Sequence, residues 1–311
     1  MVDRSARTTV RPKRYTSITL DTRSLLRPAT RGGLVKNLGL RCLVFALITL
    51  LVPVAYAGRP VTIKGSDTMV ILGQRWAETY MSQIPGQVIQ ITGGGSGTGI
   101  AALINGTADI CSASRAMKTD EREQLKKRYQ SLGVEIPVAK DGMSVYLAET
   151  NPVKKLTVEQ LKNIYTGEIT NWKQVGGKDA AIILYGRENS SGTYSFFKDH
   201  VLAGADFSPR VQTLPGTAAV VNALSKDPNG IGYGGAAYAK GVRDCAIAKD
   251  AKSPAIMPTA VTVHDGTYPL SRYLYFYTRK PPQGDVKKFI DWTLSPKGQE
   301  LASKVGYFPL K

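Results

Sequence analysis

Histidine is almost missing from this chain: 311 residues contain two, His200 and His264. Imidazole is the usual general acid–base group and a common metal ligand, so chemistry that needs several histidines has little material here. The three cysteines, Cys42, Cys111 and Cys245, show no zinc-site spacing. The Gly-x-Ser-x-Gly elbow of serine hydrolases is absent. The glycine-rich stretch Gly93–Gly99 runs into Ile100 without the Gly-Lys-Ser/Thr ending a P-loop requires. No Ser-x-x-Lys element sits at the glycine turns, and no arginine-rich block or interleaved basic and aromatic pattern suits nucleic acid. Nothing in the sequence calls for a metal or a cofactor.

Long apolar runs are also lacking, with one short exception. Leu43–Val52 (LVFALITLLV) follows Lys36 and Arg41 and precedes Ala55-Tyr56-Ala57, the basic, apolar and small-residue order of a cleavable export signal. Bracketed by Arg41 and Pro53, it falls short of the roughly 18 residues a membrane span needs. We read residues 1–57 as an export signal with an N-terminal extension, with translation starting at Val35 and cleavage after Ala57. Cys42 lacks a lipoprotein context, so a freely soluble exported product is expected. Ten of the 41 Lys/Arg and two of the 24 Asp/Glu lie in the signal, which lowers the formal charge of the remainder from +17 to +9. That residue of positive charge permits, but does not by itself indicate, steering of anions into a cleft.

The remainder is long enough for two domains and alternates strand and helix patterns, which predicts an α/β fold with largely parallel sheets. Strands are expected at Val61–Lys64, Gln87–Thr92, Ala108–Cys111, Val134–Ala139, Met143–Ala148, Ala181–Tyr185 and Ser271–Thr278, and Gly230–Gly235 reads as a glycine-rich strand or turn. Lys140-Asp141-Gly142 reads as a crossing between lobes. Met69, Leu72, Trp76 and Tyr80 recur at helical spacing, Thr157–Gln160 matches a capping box, and Ser295-Pro296 caps a final helix. Cys111 and Cys245 fall in different lobes, where a disulfide would lock any hinge, so two buried thiols are expected.

Two Ser-Gly-Thr stretches, Ser96-Gly97-Thr98 and Ser191-Gly192-Thr193, each lie where a strand pattern gives way to a helix. Helix N-termini leave backbone N–H groups unpaired and carry partial positive charge, and glycine lets a ligand approach the backbone. Ser66, Asp67 and Thr68 open another helix, Ser112, Ser114 and Arg115 follow the third strand, and Arg187 precedes the second Ser-Gly-Thr. Guanidinium presents paired donors to two oxygens of a tetrahedral anion. We read the two Ser-Gly-Thr turns as corresponding turns of two lobes that clamp a small oxyanion. His200, near the end of a helix, reads as a partner of the helix dipole rather than a base.

At these residues the chain resembles the periplasmic phosphate-binding proteins of ABC-type phosphate importers. The resemblance rests on Gly65-Ser66-Asp67-Thr68, residues 93–110 (GGGSGTGIAALINGTADI), Ser112-Ala113-Ser114-Arg115, residues 164–172 (IYTGEITNW) and residues 187–197 (RENSSGTYSFF). It implies a type II periplasmic-binding-protein fold: lobe one over 58–140 and 267–311, lobe two over 141–266, a double-crossing hinge, and a ligand cleft between. It also implies a monomeric, non-enzymatic periplasmic receptor that delivers inorganic phosphate to membrane ABC permease subunits. The ligand residues carried over are Ser96, Arg187, Ser191, Gly192 and Thr193, with Asp67 and Thr68 matching the first ligand turn. Ser66, Gly97, Thr98, Ser114 and Arg115 complete the expected set.

One position departs from the family. Some members carry an aspartate after the third strand that accepts the hydrogen bond from the protonated oxygen of phosphate; here Ser114 or Arg115 stands there, and Asp67 is expected to accept instead. Three other readings are weighed: a receptor for sulfate, molybdate, tungstate or arsenate, an exported hydrolase with Ser96 or Ser191 as nucleophile, and a purely structural adhesion role.

Overall fold

The computed structural model describes residues 59–311. The expected signal over 1–57, the start at Val35 and Cys42 lie outside the described residues. No helix of the described residues is long and apolar enough to cross a membrane.

Three parallel strands open the fold: β1 (Val61–Gly65), β2 (Ile89–Thr92) and β3 (Ile110–Ala113), side by side in the order β2-β1-β3. They alternate with α1 (Val70–Gln83), α2 (Ser96–Asn105) and α3 (Thr119–Tyr129). In α1 the residues at helical spacing, Leu72, Trp76 and Tyr80, are fully buried, as the period-3.6 pattern requires. The chain then enters β4 (Val134–Leu147), a single strand where two were expected. Lys140-Asp141-Gly142 does not break it, because β11 (Ser271–Thr278) runs antiparallel alongside and pairs with all three. An extended neighbour supplies partners that local sequence does not reveal.

Beyond residue 142 a second set begins. It comprises β5 (Lys155–Thr157), α4 (Val158–Thr166), β6 (Ile183–Arg187), α5 (Gly192–His200), β7 (Gln212–Leu214), α6 (Gly216–Leu224), β8 (Gly230–Gly235), β9 (Arg243–Ala248), β10 (Ala255–Ile256) and α7 (Ala260–His264). The chain returns through β11 and ends in α8 (Gly284–Leu294) and α9 (Pro296–Val305). Strand order along the main path is β2-β1-β3-β11-β4-β8-β6-β7. The parallel expectation holds for β1 with β2 and β3 and for β6 with β7 and β8, but not for β10, which pairs antiparallel with β9. It fails at the joins, because β4 and β11 pair antiparallel with every neighbour.

The apolar core divides in the same way. Of the two largest clusters, one takes all its buried members from 143–270, with Trp172, Phe197 and Tyr233 among them; the other takes them from 61–139 and 274–307, with Trp76, Phe276 and Phe289. Both capping signals are used as expected: Thr157 accepts from the Gln160 N–H and Ser295 from the Gly298 N–H. Cys111 and Cys245 are separate buried thiols.

Sheet position corrects one expectation. The central strand of the first set is β1 and that of the second is β6, with β2 and β7 at the outer edges. The turn after β2, which holds Ser96, therefore corresponds to the turn after β7, which holds Thr217. The turn after β6, which holds Ser191, corresponds to that after β1, which holds Ser66–Thr68. The two Ser-Gly-Thr turns are not equivalent.

Candidate functional site

Four loops at strand C-termini, where α/β folds place their ligands, meet at one point. The hydroxyls of Thr68 and Thr193 lie 2.9 Å apart. Ser96 Oγ accepts from the Ser114 N–H at 3.1 Å and sits 3.4 Å from Ser114 Oγ. The Gly97 N–H donates to the Ser190 carbonyl at 2.9 Å. A β-carbon on Gly192 would lie 2.3 Å from Ser96 Oγ and 2.6 Å from Ser114 Oγ, so only glycine permits this approach. Gly95, at φ 93°, has its β-carbon position 2.5 Å from the Ser190 carbonyl and could hold no side chain on either ground.

Arg187 ends β6 with its side chain only 1% exposed. It donates to Asp67 Oδ2 at 2.8 Å, to both oxygens of Glu188 at 3.1 and 2.9 Å, and to the Thr217 hydroxyl at 2.8 Å. A buried guanidinium needs such partners, since an uncompensated charge in a low-dielectric interior is costly. Burial alone would raise the Glu188 carboxyl, but the hydrogen bond and charge of Arg187 outweigh it and hold Glu188 below its ordinary value. Asp67 Oδ1 accepts from the Gly94 N–H at 2.8 Å, so this carboxylate joins the first glycine turn to Arg187.

Ser191 is the N-cap of α5, accepting from the N–H groups of Thr193 and Tyr194. The Ser66 hydroxyl is buried and has no hydrogen-bond partner among the described residues; an unmet buried donor costs about 1–3 kcal/mol. Ser112 is buried beside it, its carbonyl accepting the Ser66 N–H at 2.8 Å.

Two expected residues lie at the margin of this convergence, Arg115 with its Nη2 3.9 Å from the β-carbon position of Gly97. Arg115 is committed to Glu121 through two bonds of 2.8 and 2.6 Å. Thr98 lies against Gly94 on the flank of its turn. His200 closes α5, its Nδ1 3.0 Å from the Phe196 carbonyl and its ring stacked on Phe196.

Sequence reasoning missed four polar residues that meet the same point. Glu188 and Thr217 hold Arg187, and adjacency to Arg187 could have flagged Glu188. The others are Arg272 on β11 and Asp141 on β4, paired by strand register across 131 residues. No local signal marks them.

The profile of the PBP superfamily domain matches residues 32–297. The phosphate-binding protein PstS of Pseudomonas aeruginosa is 35% identical over 263 residues, covering 79% of this chain and 81% of that protein. The PstS of Bacillus subtilis is 32% identical over 255 residues, covering 82% of each. Among solved structures, a phosphate ABC transporter substrate-binding protein from Clostridium perfringens with bound phosphate superposes with a TM-score of 0.74 at 30% identity, covering 81% of this chain and all of that one. The chain belongs to the periplasmic-binding-protein (PBP) superfamily and, within it, to the PstS family of phosphate-binding proteins.

Proposed function

We propose that this protein captures inorganic phosphate in a cleft between two lobes and delivers it to an ABC-type membrane permease. The observation that carries the reading is the meeting of the N-termini of α2 and α5 with a buried arginine, drawn from distant segments. Helix N-termini and hydroxyls stabilise an anion without adding net charge, and Arg187 adds one cation whose field two carboxylates temper. The lobes are 58–140 with 267–311, and 141–266; the division of the apolar core supports a split into two, with Tyr268 and Leu270 packing on the lobe-two side of it. The binding set is Ser66, Asp67, Thr68, Ser96, Gly97, Thr98, Ser114, Arg115, Arg187, Ser191, Gly192 and Thr193, with Thr98 and Arg115 at its margin. The names of the relatives and the phosphate bound in the Clostridium structure support the ligand.

The protein acts as an exported monomer without catalytic activity of its own. In support, among the described residues the hydroxyls of Ser96 and Ser191 bond to backbone N–H groups and to Ser114, not to a base that could activate them. Asp67, beside Arg187, accepts a hydrogen bond from the hydroxyl that phosphate keeps near neutral pH and sulfate lacks; two facing acceptors without a proton between them repel.

Calorimetric titration with phosphate and sulfate, after stripping carried-over ligand, tests the reading. Arg187→Ala is expected to weaken phosphate binding at least about thirtyfold, because one partner of a buried charge network is lost. Near wild-type affinity in that variant would refute the site. Asp67→Asn is expected to raise sulfate affinity relative to phosphate, and an unchanged ratio would remove Asp67 from the selectivity argument.

A further inference from the structure

The second buried arginine is placed differently from the first. Arg272 projects from β11 with its side chain 3% exposed, opposite Asp141 on β4, whose side chain is 1% exposed. Its Nε and Nη2 both donate to Asp141 Oδ2, at 3.0 and 2.8 Å. Its Nη1 donates to the Ser114 carbonyl at 3.2 Å, and Nη2 also to the Thr193 hydroxyl at 3.1 Å. The guanidinium carbon lies 5.3 Å from the centre of the Phe196 ring, one turn along α5 from Thr193. One side chain on the crossing strands thus touches the anion-binding turn of α5 and the loop after β3.

The bond to Thr193 fixes a proton. A guanidinium donates and never accepts, so the Thr193 oxygen gives Arg272 a lone pair and its own hydrogen must turn elsewhere. Thr68 Oγ1, 2.9 Å away, is equally an acceptor or a donor, so the Thr193 hydrogen can be shared with Thr68 or offered to an anion. Asp141 prevents the guanidinium from turning to the anion itself by holding it through two donors from its outer edge.

We propose that Arg272, anchored by Asp141, is a positioning residue for anion capture that acts through Thr193: it orients the Thr193 hydroxyl as a donor and keys α5 to the Ser114 loop. The inference rests on the phosphate reading above. Lysine at 272 keeps the charge beside Asp141 but lacks the planar fork that serves Asp141, Ser114 and Thr193 together.

A double-mutant cycle tests it, with phosphate affinity measured by calorimetry for wild type, Arg272→Lys, Thr193→Val and the double variant, and folding checked by thermal unfolding. Arg272→Lys is expected to weaken phosphate binding about tenfold when Thr193 is present and less than about twofold in the Thr193→Val background, since contacting residues couple. Arg272→Gln, which keeps a donor without charge, covers the case in which the lysine variant does not fold. Equal losses in both backgrounds overturn the proposal and leave the phosphate site standing. Absence of phosphate binding by the wild-type protein instead overturns the functional reading, and this inference with it.

Discussion

Ser96-Gly97-Thr98 and Ser191-Gly192-Thr193 share every letter and both open helices, but they enter those helices one residue out of step. In the first, the N-cap is Gly95 at φ 93° and Ser96 is already helical. In the second, Ser191 itself is the N-cap, at φ −68°, and its hydroxyl is used on the N–H groups of its own helix. A step of one residue turns a side chain by about 100° around a helix. Thr193 accordingly faces Thr68 and Arg272 while Thr98 faces Gly94, and Ser96 is free to brace the Ser114 loop. A shared tripeptide therefore identifies helix starts of one chemical type without making them equivalent.

Adding one methyl group to each turn gives the largest expected contrast. In Gly192→Ala the new carbon meets Ser96 Oγ and Ser114 Oγ far inside contact distance, whereas in Gly97→Ala the nearest atom is the Ser190 carbonyl at 3.3 Å. Overpacking of this kind costs about 1–3 kcal/mol, so Gly192→Ala should weaken phosphate binding about tenfold or more, and Gly97→Ala by less than about twofold. Equal losses in titration would mean that the turns do not differ as the geometry states.

Removing the threonine hydroxyls should give a smaller difference of the same sign. Thr193→Val deletes bonds to Thr68 and to a charged guanidinium, and a hydrogen bond to a charged group is worth about 1.5–3 kcal/mol. A tenfold loss of phosphate affinity is expected there, against less than about twofold for Thr98→Val. If Thr98→Val proves the more damaging, the offset between the turns is wrong.

The same comparison shows what the sequence could reveal. Arg187 was legible because it stands next to a glycine turn, so its charge and the helix start arrive together. Arg272 was not: in Ser271–Thr278 aromatic and β-branched character announces a strand, and one arginine in it reads as a surface charge. Its partner Asp141 sits in Lys-Asp-Gly, which suggests a turn until β11 is seen beside it. Strand β9 escaped because Arg243 and Asp244 break its apolar pattern at the start, although Cys245 and Ile247 are fully buried. Helix α8 did carry a readable signal in Val286, Phe289, Ile290 and Thr293 at positions i, i+3, i+4 and i+7. Local chemistry was thus readable wherever one segment carried it; pairings made by register across the fold were not.

Acid should separate the turns least, yet in a defined direction. The residues just before the second turn include Glu188, bonded to Arg187; those just before the first, Gly93-Gly94-Gly95, carry no titratable side chain. With its folded value held below the ordinary 4.5, Glu188 contributes stability that is fully present above that ordinary value. The contribution is lost as pH falls through the lower folded value, because the unfolded chain then binds the proton more readily. Glu188 is partly exposed, so solvent screening keeps the contribution small. Denaturant unfolding at steps between about pH 6 and about pH 3 should show wild type losing slightly more stability than Glu188→Gln, while Ser96→Ala, in the other turn, follows the wild-type slope. Parallel slopes for wild type and Glu188→Gln would mean that the Glu188 carboxylate does not set the acid sensitivity of the second turn.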